Sequence, residues 1–325
     1  MSTNSRHENT ALLSSPPDPA KLELSPSERQ TLTLLDGRAI GYAEYGSSKI
    51  SDPAIFLFHG LPGCRLVGRS WDKLCKKIGA RLITIDRPGC GLSSLADRRL
   101  VDWPDDVVRV ADHLKIEKFS AVGASGGGPY ALACARFIPR ERLRSTTVVC
   151  GIGHIDSVFE RYCPWRLFGL TQWLLGLATR YIFLPFVLVR PYLTKDPVRL
   201  KKVIVDQCKT DEEKSQLNDP DRDTNLDDGI AALLETFRQG SGGVYQDGHV
   251  LATDWGFDLA NVESERVRLL HGDQDVQAPL WMAQWIDQRL GGGRLRVLEG
   301  QTHFTIWKKH EEEIFRASAA VQDAH

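Results

Sequence analysis

The sequence predicts an α/β protein with an eight-stranded, mostly parallel sheet flanked by helices, and three observations carry that prediction. Short apolar runs alternate with helical segments from residue 54 to residue 150 and again after residue 265, the pattern of strand-helix-strand units. The runs are continuously apolar, as strands become when helices cover both faces of a sheet. Between the sixth and seventh runs, residues 151–265 show helical patterning and no clear strand. That is far longer than an ordinary connection, so a helical cap is expected there, over residues 151–255.

Residues 1–30 open the chain with Ser, Asn, Pro and scattered charges, and are expected to form a disordered leader. They contain no apolar stretch of the kind a secretory signal needs. Residues 31–35 and 39–45 read as a hairpin, because Asp36-Gly37 supplies a D-G turn between two β-favouring runs. Ala54-Ile55-Phe56-Leu57-Phe58 is the third strand, and a helix near residues 70–78 leads to a fourth at 81–86. Asp102 and Pro104 are start signals for a helix over 105–114, which delivers the chain to a strand at 119–122. Pro129 suits the first turn of the next helix. Residues 145–150, 266–270 and 294–298 supply the last three strands. The core is therefore expected at 31–150 and 256–325, with the cap at 151–255.

The 325 residues suffice for one large core with an insertion. A net charge of −1 lacks the basic excess of a general nucleic-acid binder, so no nucleic-acid partner is expected. The seven cysteines are odd in number and without C-x-x-C spacing, which suggests neither a zinc site nor a disulfide framework. A cytoplasmic location is the default expectation. Residues 167–189 carry Arg180 as their only charge, long enough to raise a membrane span. A single crossing there would put the sixth and seventh strands of one sheet on opposite sides of a bilayer. Pocket-lining or buried cap helices are the preferred reading, with peripheral membrane contact kept open.

Gly123-Ala124-Ser125-Gly126-Gly127 places a serine between glycines where a strand turns sharply into a helix. This is a G-x-S-x-G nucleophile elbow, in which Gly123 and Gly127 relieve crowding at the turn. A serine hydroxyl needs a base and a group to orient that base. His303, after the last expected strand, stands in the base position. The segment His271-Gly272-Asp273-Gln274-Asp275 offers two acids. Asp275 is favoured as the orienting acid because it lies farther into the loop, and Asp273 is expected to tighten the turn; His271 at a strand end reads as a packed residue. A developing oxyanion needs preorganised N–H donors. Gly126 N–H follows the serine, and the loop His59-Gly60-Leu61-Pro62-Gly63 offers Leu61 N–H, since Pro62 has none. His59 and Gly60 are expected to brace that loop. No His/Asp/Glu cluster has metal-ligand spacing, so no metal is expected.

With these motifs, and Asp86-Arg87-Pro88-Gly89-Cys90-Gly91-Leu92-Ser93 after the fourth strand, the chain resembles the alpha/beta-hydrolase family from residue 31 onward. The resemblance implies a helical cap over the site, no cofactor and a Ser125-Asp275-His303 triad. The leading functional expectation is a serine hydrolase acting through an acyl-enzyme on a carboxylic ester or thioester of a small, hydrophobic molecule. Serine at position 125 argues against epoxide hydrolases and haloalkane dehalogenases, which use aspartate. Two further readings stand beside it: an acyltransferase or cyclase in small-molecule biosynthesis, and a non-catalytic ligand receptor on the same fold. Trp165, Phe168, Trp173, Tyr181, Phe183, Phe186 and Tyr192 are offered as apolar pocket lining.

Overall fold

The computed structural model describes residues 18–162, 196–217 and 224–320. Eight strands form one sheet: β1 (Gln30–Thr33), β2 (Ala39–Gly46), β3 (Ala54–Phe58), β4 (Arg81–Ile85), β5 (Phe119–Ala124), β6 (Leu143–Val149), β7 (Val267–Gly272) and β8 (Leu295–Leu298). Their spatial order is β1-β2-β4-β3-β5-β6-β7-β8. β2 runs antiparallel to both β1 and β4, and every other pairing is parallel. The hairpin turns where expected, with Gly37 at φ 83°.

Period-two geometry sends alternate residues to opposite faces. Ala54, Phe56 and Phe58 of β3 join one apolar cluster with Trp103, Val107 and Val110 of helix α3 (Trp103–His113) and Ala131 of α4 (Gly128–Phe137). Ile55 and Leu57 join the other, with Cys75 of α2 (Asp72–Ile78) and Ile314 and Phe315 of α11 (Thr305–Ala320). The strand is therefore apolar at every position, as covering both faces requires.

Between β6 and β7 the described residues form five α-helices, two short 3-10 turns and no strand: the α-helices are α5 (Ile155–Tyr162), α6 (Pro197–Gln207), α7 (Asp211–Gln216), α8 (Leu226–Thr236) and α9 (Gly242–Leu251). The expected helical insertion is present. Its last two helices are tied to the core by buried ion pairs, Arg65–Glu235 at 2.8 Å and Arg87–Asp247 at 2.6 Å. A close approach of Gly89 to Gly243 leaves no room for a Cβ at either position. The acidic residues Asp227 and Asp228 sit in the first turn of α8, where Asn225 caps the helix. The apolar stretch 167–189 and the seven aromatic residues offered as pocket lining lie outside the described residues, as does the acidic cluster at 219–223. No helix among the described residues is long and apolar enough to cross a membrane.

One expectation needs correction. Residues 18–29, assigned to a disordered leader, are ordered: α1 (Pro19–Leu22) and a 3-10 turn (Pro26–Glu28) lie against the core and cap. The reason is polar rather than apolar. Glu28 is buried, accepts from Arg69 at 2.6 Å and from the Tyr45 hydroxyl at 3.0 Å, while Arg69 also donates to the Lys21 and Glu23 carbonyls. Lys21 reaches Asp228 of α8 at 3.1 Å. Hydropathy alone carries no record of such ties.

Candidate active site

β5, β7 and β8 are parallel, so the loops leaving their C-terminal ends meet at one edge of the sheet. The loop after β5 begins with Ser125, which adopts φ 52°, a left-handed conformation costly for a residue with a Cβ. The turn is so tight that a Cβ on Gly127 would stand 2.1 Å from the Phe58 carbonyl oxygen, and one on Gly123 would stand 2.5 Å from that of Gly127. The two glycines of the elbow are thus sterically required. Pro129 in the first turn of α4 then carries the chain away.

The loops after β7 and β8 are fastened together before they present their side chains. Asp273 N donates to Leu298 O at 3.3 Å, Gln274 N to Gln301 O at 3.0 Å, and Gly300 N to Asp273 Oδ1 at 2.7 Å. Asp273 therefore holds the turn, as expected. Asp275 and His303 meet across this junction, His303 Nδ1 lying 2.7 Å from Asp275 Oδ2. Asp275 Oδ1 accepts from the amides of Gln277 and Ala278, both at 2.9 Å. Burial opposes ionisation of Asp275, but the bonds from His303, Ala278 and Cys150 outweigh it and hold the carboxyl below its usual range. His271 is buried and its Nε2 donates to Ala278 O at 2.6 Å. Burial pushes its pKa down, so it serves as a neutral brace.

The loop after β3 lies on the elbow. A Cβ on Gly60 would stand 3.3 Å from Ser125 Cβ, and one on Gly126 would stand 3.2 Å from Leu61 N. The structure thus brings Leu61 N–H beside Gly126, next to the serine. His59 is buried, with Nδ1 donating to Gly60 O at 2.8 Å. Burial, reinforced by the adjacent Arg87 charge, drives its pKa well below the ordinary value and keeps the ring neutral.

Sequence reasoning missed several residues around this site. Cys150, just past β6 at φ 49°, hydrogen-bonds Asp275, and Ile152 N donates to Ser125 O at 3.3 Å, so this short segment spans the serine and the acid. Cys150, Asp275 and His303 place their donor atoms within 4.8 Å of one another. Both Asp275 oxygens are already engaged, and burial pushes the thiol well above its usual range; a metal would require the thiolate. Asp247 and Tyr130 surround Arg87. Arg87 belongs to the Asp86–Ser93 motif after β4, but Asp247 lies 160 residues away and no local pattern marks it. A cavity of about 830 Å³ lies elsewhere, lined by Lys21, Glu28, Tyr45 and Arg69, and touches no residue of this site.

An eight-stranded hydrolase-type sheet with a serine elbow, a bonded acid–histidine pair and a helical insertion defines the class of protein. A family model described as the alpha/beta hydrolase family matches residues 55–317, and the chain belongs to that family. It is similar to proline iminopeptidase of Lactobacillus helveticus, 29% identical over 112 residues, which cover 31% of this chain and 38% of that protein. Among solved structures, a hydrolase from Pseudomonas aeruginosa PA01 superposes with a TM-score of 0.61 at 17% identity, covering 92% of this chain and all of that one. An esterase from Exiguobacterium antarcticum gives 0.59 at 19% identity over 90% and 99% of the two chains. A bromoperoxidase from Bacillus anthracis gives 0.57 at 17% over 88% and 96%. At these identities the likeness is one of fold.

Proposed function

We propose that the protein is a serine hydrolase that cleaves carboxylic esters of small, hydrophobic molecules through an acyl-enzyme. The observation that carries this reading is Ser125 held at φ 52° beside the Gly60-Leu61 loop, with the His303–Asp275 pair delivered to the same sheet edge. In the mechanism Ser125 Oγ attacks the ester carbonyl and His303 takes its proton. The carbonyl oxygen becomes an oxyanion that accepts from the Leu61 and Gly126 N–H groups. His303 then gives the proton to the leaving alcohol as the C–O bond breaks. Water, deprotonated by the same imidazole, attacks the acyl-enzyme and releases the acid and free serine. Asp275 keeps the imidazole in one tautomer and offsets its charge while it holds the proton.

The similarity to a proline iminopeptidase supports hydrolysis of a peptide bond as a second reading, because ester and amide cleavage pass through the same tetrahedral oxyanion. The test is a panel of p-nitrophenyl esters graded by acyl length, run beside proline p-nitroanilide, with Ser125→Ala as the blank. Turnover of the esters that vanishes in the blank is the expected result. Preferential turnover of the anilide would select the peptidase reading, and turnover undiminished in Ser125→Ala would end the serine assignment.

A further inference from the structure

We infer that Arg87 is a positioning residue for the oxyanion site and that Asp247, on cap helix α9, is the counter-ion that holds it in place. Seating this part of the cap and aiming the Leu61 N–H are then one event. The inference rests on the serine reading above and adds a residue pair to it.

Arg87 follows β4 and is 1% exposed. Its Nη1 donates to His59 O at 2.5 Å and its Nη2 to Gly60 O at 2.7 Å. Its Nε and Nη2 both lie against Asp247 Oδ2, at 2.7 and 2.6 Å. The guanidinium stacks over the Tyr130 ring, 4.8 Å from its centroid, and the Tyr130 hydroxyl donates to Asp247 Oδ1 at 2.8 Å. Burial, with the Asp247 carboxylate alongside, pushes that hydroxyl well above its ordinary range, so it remains a donor.

The consequence follows from peptide geometry. The Gly60-Leu61 bond is trans, and in a planar trans peptide the C=O and the next N–H point in opposite directions. A guanidinium that holds the Gly60 carbonyl therefore turns the Leu61 N–H the other way. The position of Leu61 N beside Gly126 places it on the serine side of the loop. Because the fork is planar, gripping two successive carbonyls fixes the loop's rotation, which a single ammonium cannot do. A buried guanidinium needs a buried counter-charge, and it comes from the cap. The same helix ends with Leu251, whose Cδ1 would stand 3.4 Å from a Cβ on Gly126. Helix α9 thus delivers both the counter-ion and an apolar side chain to the oxyanion site.

The test uses the full chain and the best ester of the panel. Arg87→Met with Asp247→Leu removes both buried charges together, so the fold is expected to survive while the His59 carbonyl loses the Arg87 fork and the Gly60 carbonyl keeps only its bond from His59 Nδ1. kcat should fall about 100-fold, the scale of losing one oxyanion donor, with KM within about three-fold. Binding of a trifluoromethyl ketone carrying the same acyl chain, which forms a tetrahedral oxyanion on the serine, should weaken by about the same factor. Binding of the matching methyl ketone should hold within about three-fold. A merely structural role would move the two ketones together, and that result overturns the inference. Should the double variant fail to fold, Arg87→Lys keeps the charge against Asp247 but loses the fork. A kcat reduced at least about ten-fold at unchanged KM supports the inference, and wild-type kcat overturns it. Ser125→Ala run alongside separates the failures: if it retains turnover, the serine reading falls and the inference with it. If it is inactive while both arginine variants keep wild-type kcat, only the inference falls.

Discussion

Ser125, His303 and Asp275 act as a unit in the proposed mechanism, so their losses should not add. Ser125→Ala and His303→Ala are each expected to lower kcat on the best ester by about four to six orders of magnitude, measured by steady-state kinetics above the uncatalysed rate, and the double variant should lose little more. Asp275→Asn should cost about four orders, because an amide side chain supports the wrong imidazole tautomer. Asp273→Asn should cost far less, since Asp273 serves only the Gly300 amide at 2.7 Å. Equal losses from the two would remove the distinction between them. The neutral histidines give a pH prediction with a definite sign. His59 is depressed by burial and then by the Arg87 charge, and His271 by burial. Below the ordinary pKa of about 6.5 the unfolded chain binds protons that the folded one refuses, so stability is fully present above that pH and declines as pH falls beneath it. Each such histidine contributes up to about 1.4 kcal/mol per pH unit in that window. Urea titrations from pH 7.5 to 5 should show the decline, and His271→Asn should flatten it. A pH-independent midpoint would contradict the assignment.

The elements that matter most here are turns rather than helices or strands. At the elbow the carbonyl oxygens of Phe58 and Gly127 leave no space for side chains. Gly127→Ala should therefore destabilise the protein by about 3 kcal/mol or more and abolish turnover, because the turn must open to admit the methyl group. Gly37→Ala is the control. Unlike Gly127, at φ −78°, it has a positive φ, 83°, and it meets no atom within 4 Å. Its cost should be about 1 kcal/mol of backbone strain with kcat intact, as measured by chemical denaturation and ester turnover. Short, continuously apolar runs made β3 and β5 legible in the sequence. The start of α3 was less so: the helix begins at Trp103 rather than two residues later, because Asp102 is used by the preceding 3-10 turn, accepting from Arg99 N at 3.0 Å, and not as a side-chain cap. Both uses satisfy the residue, and local propensity does not choose between them.

For the molecule as a whole, long-range polar ties decide how the insertion and the N-terminal segment sit on the sheet. Glu28→Ala would take from Arg69 its nearest carboxylate and from the Tyr45 hydroxyl its acceptor, and is expected to cost about 3 kcal/mol with little change in kcat/KM. An unchanged denaturation midpoint would mean that the segment is carried passively. The sequence by itself determined the sheet, the order of its strands along the chain, the site of the insertion and the elbow with its glycines. These depend on periodicity, composition and short turns, which are local. It also marked Asp275 and His303, because residues that follow parallel strands must emerge at one edge. Only the tertiary structure decided that Asp275 rather than Asp273 bonds His303, that Cys150 stands against the acid, and that residues 18–29 are ordered. It alone paired Arg87 with Asp247. A charged pair buried across 160 residues has no local signature, since each partner reads as an ordinary surface charge until the fold removes water from both.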